Sequence, residues 1–283
     1  MTIDKNRVTG GVVAAATCAA LATAETLPDT EQRWLLALQA VVRALIHRLA
    51  ASRDLSEPEL PYVRVQAAED ALDAIGPLTG WTPLDIGDVH QELLRLELTQ
   101  DHGELAVCRP KGASTRDSQG SWYTPTPLAR ETTRLALEAT ISILGPEPDE
   151  ILRMRAVDPA CGAGVIMVEG ARLIAGLYAA RLAGTPEPPP LLVRKLLPEV
   201  IYTCVYGMDI DPVAVDLART SLWLEVGGRP GFGWLDGNVA CLDPLAGPME
   251  VPERLLAVMG APPDLADVLR EPVPSGVGVG VAA

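Results

Sequence analysis

The stretch Arg155-Ala156-Val157-Asp158-Pro159-Ala160-Cys161-Gly162-Ala163-Gly164-Val165-Ile166-Met167 limits the possible folds more than any other part of the chain. An apolar run ends in an acid, turns through two glycines and leads into a long apolar stretch of helical character. A strand must therefore hand over to a helix within a few residues. Glycine suits such a turn because it accepts left-handed backbone and lets other atoms come close. A helix starting near Gly164 aims its first N–H groups, which lack partners inside the helix, into the crevice beside the turn. Taken alone, the glycine pair fits any tight strand-to-helix turn.

It does not stand alone. Val200-Ile201-Tyr202-Thr203-Cys204-Val205-Tyr206 reads as a buried strand over 200–207, with Asp209 just past its end. An open parallel sheet places there the acid that accepts hydrogen bonds from a ribose diol. Asn238-Val239-Ala240-Cys241-Leu242-Asp243-Pro244-Leu245 reads as a further short strand, 239–242, again ending in an acid. A strand at 153–158 and helices at 127–144, 164–183 and 212–226 complete an alternating pattern. Such alternation implies a parallel sheet with helices on both faces. The prolines of Pro186-Glu187-Pro188-Pro189-Pro190 suit neither a helix interior nor a central strand.

The first part of the chain reads differently. Trp34, Leu35, Leu38, Val41, Val42, Leu45, Ile46 and Leu49 recur at helical spacing and give an amphipathic helix over 30–52. Helices over 66–76 and 85–98 follow, so residues 1–102 read as a helical domain. Segment 103–120, rich in Gly, Ser, Arg, Lys and Asp, reads as a linker. After Leu245 the pattern decays into weak helical character at 252–259 and 264–270, and the glycine-rich end carries no core-forming pattern.

Four segments, in order, are Tyr123-Thr124-Pro125, Asp158-Pro159-Ala160-Cys161-Gly162-Ala163-Gly164, Gly207-Met208-Asp209-Ile210-Asp211-Pro212-Val213-Ala214-Val215 and Asn238-Val239-Ala240-Cys241-Leu242-Asp243. In order, spacing and intervening residues they resemble the N-terminal half of the adenine-specific DNA methyltransferases of the type I and type IIG restriction and phage-defence kind. Thr220-Ser221-Leu222-Trp223-Leu224 is similar to that family's Ser-Leu-Trp-Leu helix, and Leu84-Asp85-Ile86-Gly87-Asp88-Val89-His90-Gln91-Glu92-Leu93-Leu94 to its Leu-Gly-x-x-Tyr-Glu-x-Leu-Leu helix. The resemblance covers about residues 80–247. It implies an α/β fold: a Rossmann-like S-adenosylmethionine-dependent methyltransferase sheet, incomplete here, over 121–247, with a helical domain before it and a poorly patterned 248–283 after it. It gives Asp209 the ribose hydroxyls of S-adenosylmethionine, Ile210 the adenine face and Asp243 the adenine's exocyclic amine. Asp158 and the turn containing Ala160, Gly162 and Gly164 would hold the methionine end, with Tyr123, Thr124 and Pro125 closing over it.

Each of these residues also has a structural reading. Asp158 can cap a turn, Asp211 can cap the helix starting at Pro212, and Asp243-Pro244 can be an ordinary turn. Trp122 and Tyr123 can be core aromatics. Cys161, with no histidine near it in sequence, reads as a small buried residue rather than a nucleophile.

The catalytic half has no counterpart. The family activates adenine's amine with an Asn-Pro-Pro-aromatic loop that accepts its hydrogen bonds and stacks on the flipped base. The nearest string, Gly260-Ala261-Pro262-Pro263-Asp264, has alanine where the amide belongs and aspartate where the aromatic belongs. No catalytic residue is assigned. The net charge of −14 also opposes grip on a phosphate backbone by this chain alone. DNA would be reached through a missing domain or a partner subunit, and a second polypeptide could carry the catalytic motif. A non-catalytic adaptor, or an inactive remnant with a methyltransferase-like fold, is the competing reading.

The 48% hydrophobic content is ample for a buried core. Five cysteines without paired metal-ligand spacing, and three histidines that do not cluster with them, predict no metal and reduced thiols in a cytoplasmic protein. The small-residue stretch from Gly10 to Ala24 lacks the length and uniformity of a membrane span and reads as a mobile or helical N-terminus.

Overall fold

Small residues at helical spacing let two backbones approach closely, and the start of the chain uses them in this way. In the computed structural model, helix α1 (Lys5–Ala22) buries Val12, Ala15, Ala16, Ala19 and Ala20 against α2 (Thr30–Ala51) and α3 (Gln66–Asp73). The structure describes residues 5–22, 29–56, 58, 60, 66–101, 104–112, 114, 124–245 and 255. The chain divides into two units, Met1–Tyr123 and Thr124–Ala283.

In the first unit, Asp29 caps α2 by accepting from the Gln32 amide at 2.9 Å. Of the predicted stripe, Trp34, Leu38, Val41, Val42, Leu45, Ile46 and Leu49 are buried, while Leu35, at its edge, is half-buried. Among the described residues α2 is the one helix long and apolar enough to cross a membrane, and over half of it is buried in the unit. Helix α4 (Pro83–Leu93) starts with a reciprocal capping box between Thr82 and Asp85.

The first unit is not wholly helical. The helix expected over 85–98 ends at Leu93, and strand β1 (Glu97–Asp101) pairs antiparallel with β2 (Glu104–Cys108). Residues 104–108, expected in a linker, are therefore a strand. The helix stops because Leu93, Leu94 and Leu98 reach buried positions and the Leu96 carbonyl turns to accept from the Trp34 indole at 2.9 Å.

The second unit begins with α5 (Thr126–Ile143) and the short α6 (Pro148–Ile151), followed by β3 (Ala156–Asp158) and α7 (Val165–Ala183). Helix α8 (Pro190–Cys204) leads directly into β4 (Val205–Asp209), and then come α9 (Pro212–Glu225), a 3-10 turn (Phe232–Leu235) and β5 (Val239–Cys241). The strands form a parallel sheet in the order β3-β4-β5.

The strand expected over 200–207 is corrected: residues 200–204 end a helix. Leu197, Val200, Ile201 and Cys204 are the buried positions of α8, an i, i+3, i+4, i+7 spacing that belongs to a helix. This burial carries the helix past Pro198 despite the hydrogen bond a proline removes. The buried Asn238 side chain ends it by donating to the carbonyls of Tyr202 and Val205, both at 2.9 Å.

Successive strand residues face opposite sides of the sheet. On one side Val205 and Val239 join a core built with α7, α8 and α9. On the other, Tyr206, Met208, Ala240 and Leu242 pack with Leu255. The helices expected at 252–259 and 264–270, apart from helical Leu255, lie outside the described residues.

Candidate functional site

Parallel strands all end on the same side, so residues at their carboxyl ends gather on one rim. Asp158 closes β3, Asp209 closes β4, and Asp243 stands two residues beyond β5. The Leu242 amide donates to the Asp209 carbonyl at 2.9 Å and keeps the last two ends together.

The loop between β3 and α7 is tied to β4 at two points. The Cys161 amide donates to the Met208 carbonyl at 2.9 Å, and the Gly162 amide donates to Oδ2 of Asp209 at 2.8 Å. Oδ1 of Asp209 accepts from the Asp211 amide at 2.9 Å. Asp211 caps α9 by accepting from Val213, which is the structural role open to it in the sequence. From α9 the buried Ser221 hydroxyl donates to the Ala163 carbonyl at 2.7 Å and fastens the far side of the loop.

The two loop glycines serve different ends. Both have positive φ, +51° at Gly162 and +82° at Gly164. A side chain on Gly164 would meet the Ala218 Cα at 3.0 Å, so this glycine lets α9 approach the loop. A side chain on Gly162 would enter open space within 4 Å. Gly207 belongs with Gly164: its missing side chain leaves room for the Met167 thioether.

Asp158 is the electrostatic exception. Its Oδ1 accepts from the Ala160 amide at 3.2 Å, but its Oδ2 is buried with no hydrogen-bond partner among the described residues. Burial raises the carboxyl above its ordinary value; the Ala160 bond opposes this and the charge of Asp209 adds to it. Burial likewise pushes the Cys161 thiol well up, with Asp158 and Asp209 adding to it, so Cys161 is a packing residue with little thiolate character.

Helices α5 and α7 run side by side in the same sense, since Thr133 reaches the Ile166 carbonyl and Arg181 reaches the Gly145 carbonyl. Their N-termini therefore lie at the same end of the unit, and neither has a side-chain cap. The residues Thr124 and Pro125 stand at the start of α5, with Pro125 exposed. Ile210, 49% exposed, presents an apolar side chain beside Asp209. Asp243 is exposed, and its Oδ1 accepts from the Leu245 amide at 2.8 Å, an Asx turn. Tyr123 and Trp122 lie outside the described residues.

Asp158, Ala160, Gly162, Gly164, Asp209, Ile210 and Asp243 thus share one rim. A diol could be held by the carboxylates, a flat ring by Ile210, and a compact polar group by the open face at Gly162. Among the described residues no group of three His, Cys, Asp or Glu could hold a metal ion. Sequence reasoning gave Ser221 no role, and it passed over Glu169, whose only signal is a lone carboxylate in the apolar run of α7. Comparison with protein-family models, curated proteins and solved structures finds no match to this chain.

Proposed function

We propose that the second unit binds S-adenosylmethionine and is the donor portion of an adenine-specific DNA methyltransferase with a Rossmann-like sheet. The observation that carries the reading is the bond from the Gly162 amide to Asp209, because it joins the glycine turn to the acid at the next strand end. The orphaned Oδ2 of Asp158 and the open face at Gly162 fit a ligand that brings hydrogen-bond donors and lies close to backbone. When bound, S-adenosylmethionine supplies an electrophilic methyl group on a sulfonium.

The chain's own residues orient and hold it. Asp209 accepts from the ribose hydroxyls, and Ile210 lies on the adenine face. Asp158, the amides of the 160–164 turn and the Thr124-Pro125 segment hold the methionine end, while Asp243 accepts from the adenine amine. The acceptor side is left to a partner subunit or further domain, since no Asn-Pro-Pro-aromatic segment occurs in the 283 residues and the net charge of −14 repels phosphate.

Ultraviolet cross-linking with labelled S-adenosylmethionine tests the reading. Label is expected between residues 124 and 245 and should be displaced by unlabelled cofactor. Label absent, or confined to the first unit, overturns it. Incubated with DNA and labelled cofactor, the chain alone is expected to leave adenine unmethylated. Methyladenine formed without a partner would contradict the division of labour.

A further inference from the structure

Glu169 sits in the apolar run of α7 and is only 4% exposed. Its Oε2 accepts from Arg130 of α5 at 2.9 Å and its Oε1 from Arg172 at 2.8 Å. Arg172 in turn grips Glu225 of α9 through two bonds of 2.8 Å each. The ion pairs thus form one line, from α9 through α7 to the N-terminal part of α5.

A buried ion pair seldom outperforms apolar packing of the same volume, because desolvation offsets most of its attraction. It does add direction, since an arginine fork fixes angle as well as distance. That direction matters at this end of α5. Its first turn has no side-chain cap, and among the described residues the buried apolar position there is Ala129. Arg130, five residues after Pro125, is the polar tie between this end and α7, with Thr133 one turn further on.

We infer that Glu169 is a positioning residue: it fixes the start of α5, and with it Thr124 and Pro125, at the rim where the Gly162 loop meets Asp209. This role rests on the donor-binding reading. A merely structural glutamate would change stability and leave ligand affinity alone, so the test separates the two.

Glu169→Met keeps the side-chain length and removes the charge. The variant should melt close to the wild type, yet exchange the amides of residues 129–133 about tenfold faster and bind S-adenosylmethionine about tenfold more weakly. Glu169→Gln, which keeps one acceptor oxygen, should fall between. Should Glu169→Met fail to fold, Arg130→Leu cuts the same tie from its exposed side, where Arg130 is 69% exposed. Weaker binding with unchanged exchange overturns the inference, and so does faster exchange with unchanged binding. A wild-type chain that binds no cofactor defeats the donor-binding reading separately. In that case exchange alone decides whether Glu169 holds α5 in place, and unchanged exchange overturns the tie as well.

Discussion

The first unit and the rim of the second treat their polar groups differently. In the first, Asp29 caps α2, the side chains of Thr82 and Asp85 each accept from the other's backbone amide at the start of α4, and Arg48 joins both Glu69 and Asp73. At the rim of the second unit, two helix N-termini have no side-chain cap, one carboxylate oxygen is buried without a partner among the described residues, and Ile210 is exposed. Apart from the buried Arg48 Nε, which has no hydrogen-bond partner among the described residues, these groups hold the first unit together. The rim leaves local rules unmet, which a fold tolerates where something else is to be bound.

The sharpest way to test that contrast is within the rim, at its two glycines. Gly164→Ala combines left-handed backbone with contact against the Ala218 backbone. It should cost about 2–4 kcal/mol in chemical denaturation, the sum of a left-handed penalty and overpacking. Gly162→Ala meets no neighbour, so it should cost only about 1–2 kcal/mol from its φ. Gly162→Val should in addition abolish cofactor binding; normal binding in that variant would make the turn merely structural.

A smaller effect is expected in the first unit. Thr82→Ala removes one half of the capping box and should cost about 1 kcal/mol, with no change in cofactor affinity. A change in affinity would break the comparison, since it would tie the first unit to the site.

The smallest effect is the most telling in sign. Because the Asp158 carboxyl is raised in the fold by burial, the folded chain holds that proton more tightly than the unfolded chain. Its contribution to stability is present at low pH and is lost as pH rises through the folded value. Asp158→Asn should therefore melt slightly above the wild type at pH 7, with the gap closing as pH falls, while binding cofactor less well. A variant that melts lower at pH 7 would show that the carboxylate serves the fold.

Much of this arrangement was legible in the sequence. Helices α2, α5, α7 and α9 lie within a residue or two of their expected bounds, because α2 and α5 carry periodic stripes, Asp211 caps α9, and Gly164 and Gly184, both left-handed, bound α7. The 200–204 segment was misread because β-branched residues concealed a helical burial spacing; only the contacts of α8 distinguish the two. The hairpin was missed because its strands are only five residues each and the first is largely polar. Its signal was two equal runs separated by His102-Gly103, a two-residue spacing that favours a tight turn. The acids at the strand ends were legible from the order of strand, acid and glycine or proline, although each also has a reading as a turn or a cap, which Asp211 and Asp243 do fill. The partnership of Asp209 with the Gly162 amide, and the tie through Glu169, were not: both join residues far apart in sequence.

The central claim is that the rim holds S-adenosylmethionine through Asp209. Calorimetric titration of the wild-type chain and of Asp209→Ala with that cofactor tests it most directly. A charge-assisted bond lost from a diol costs about 1.5–3 kcal/mol, so the variant should bind roughly ten- to a hundredfold more weakly than a saturable wild type. Equal affinity in the two proteins, or no binding by the wild type, would contradict the account.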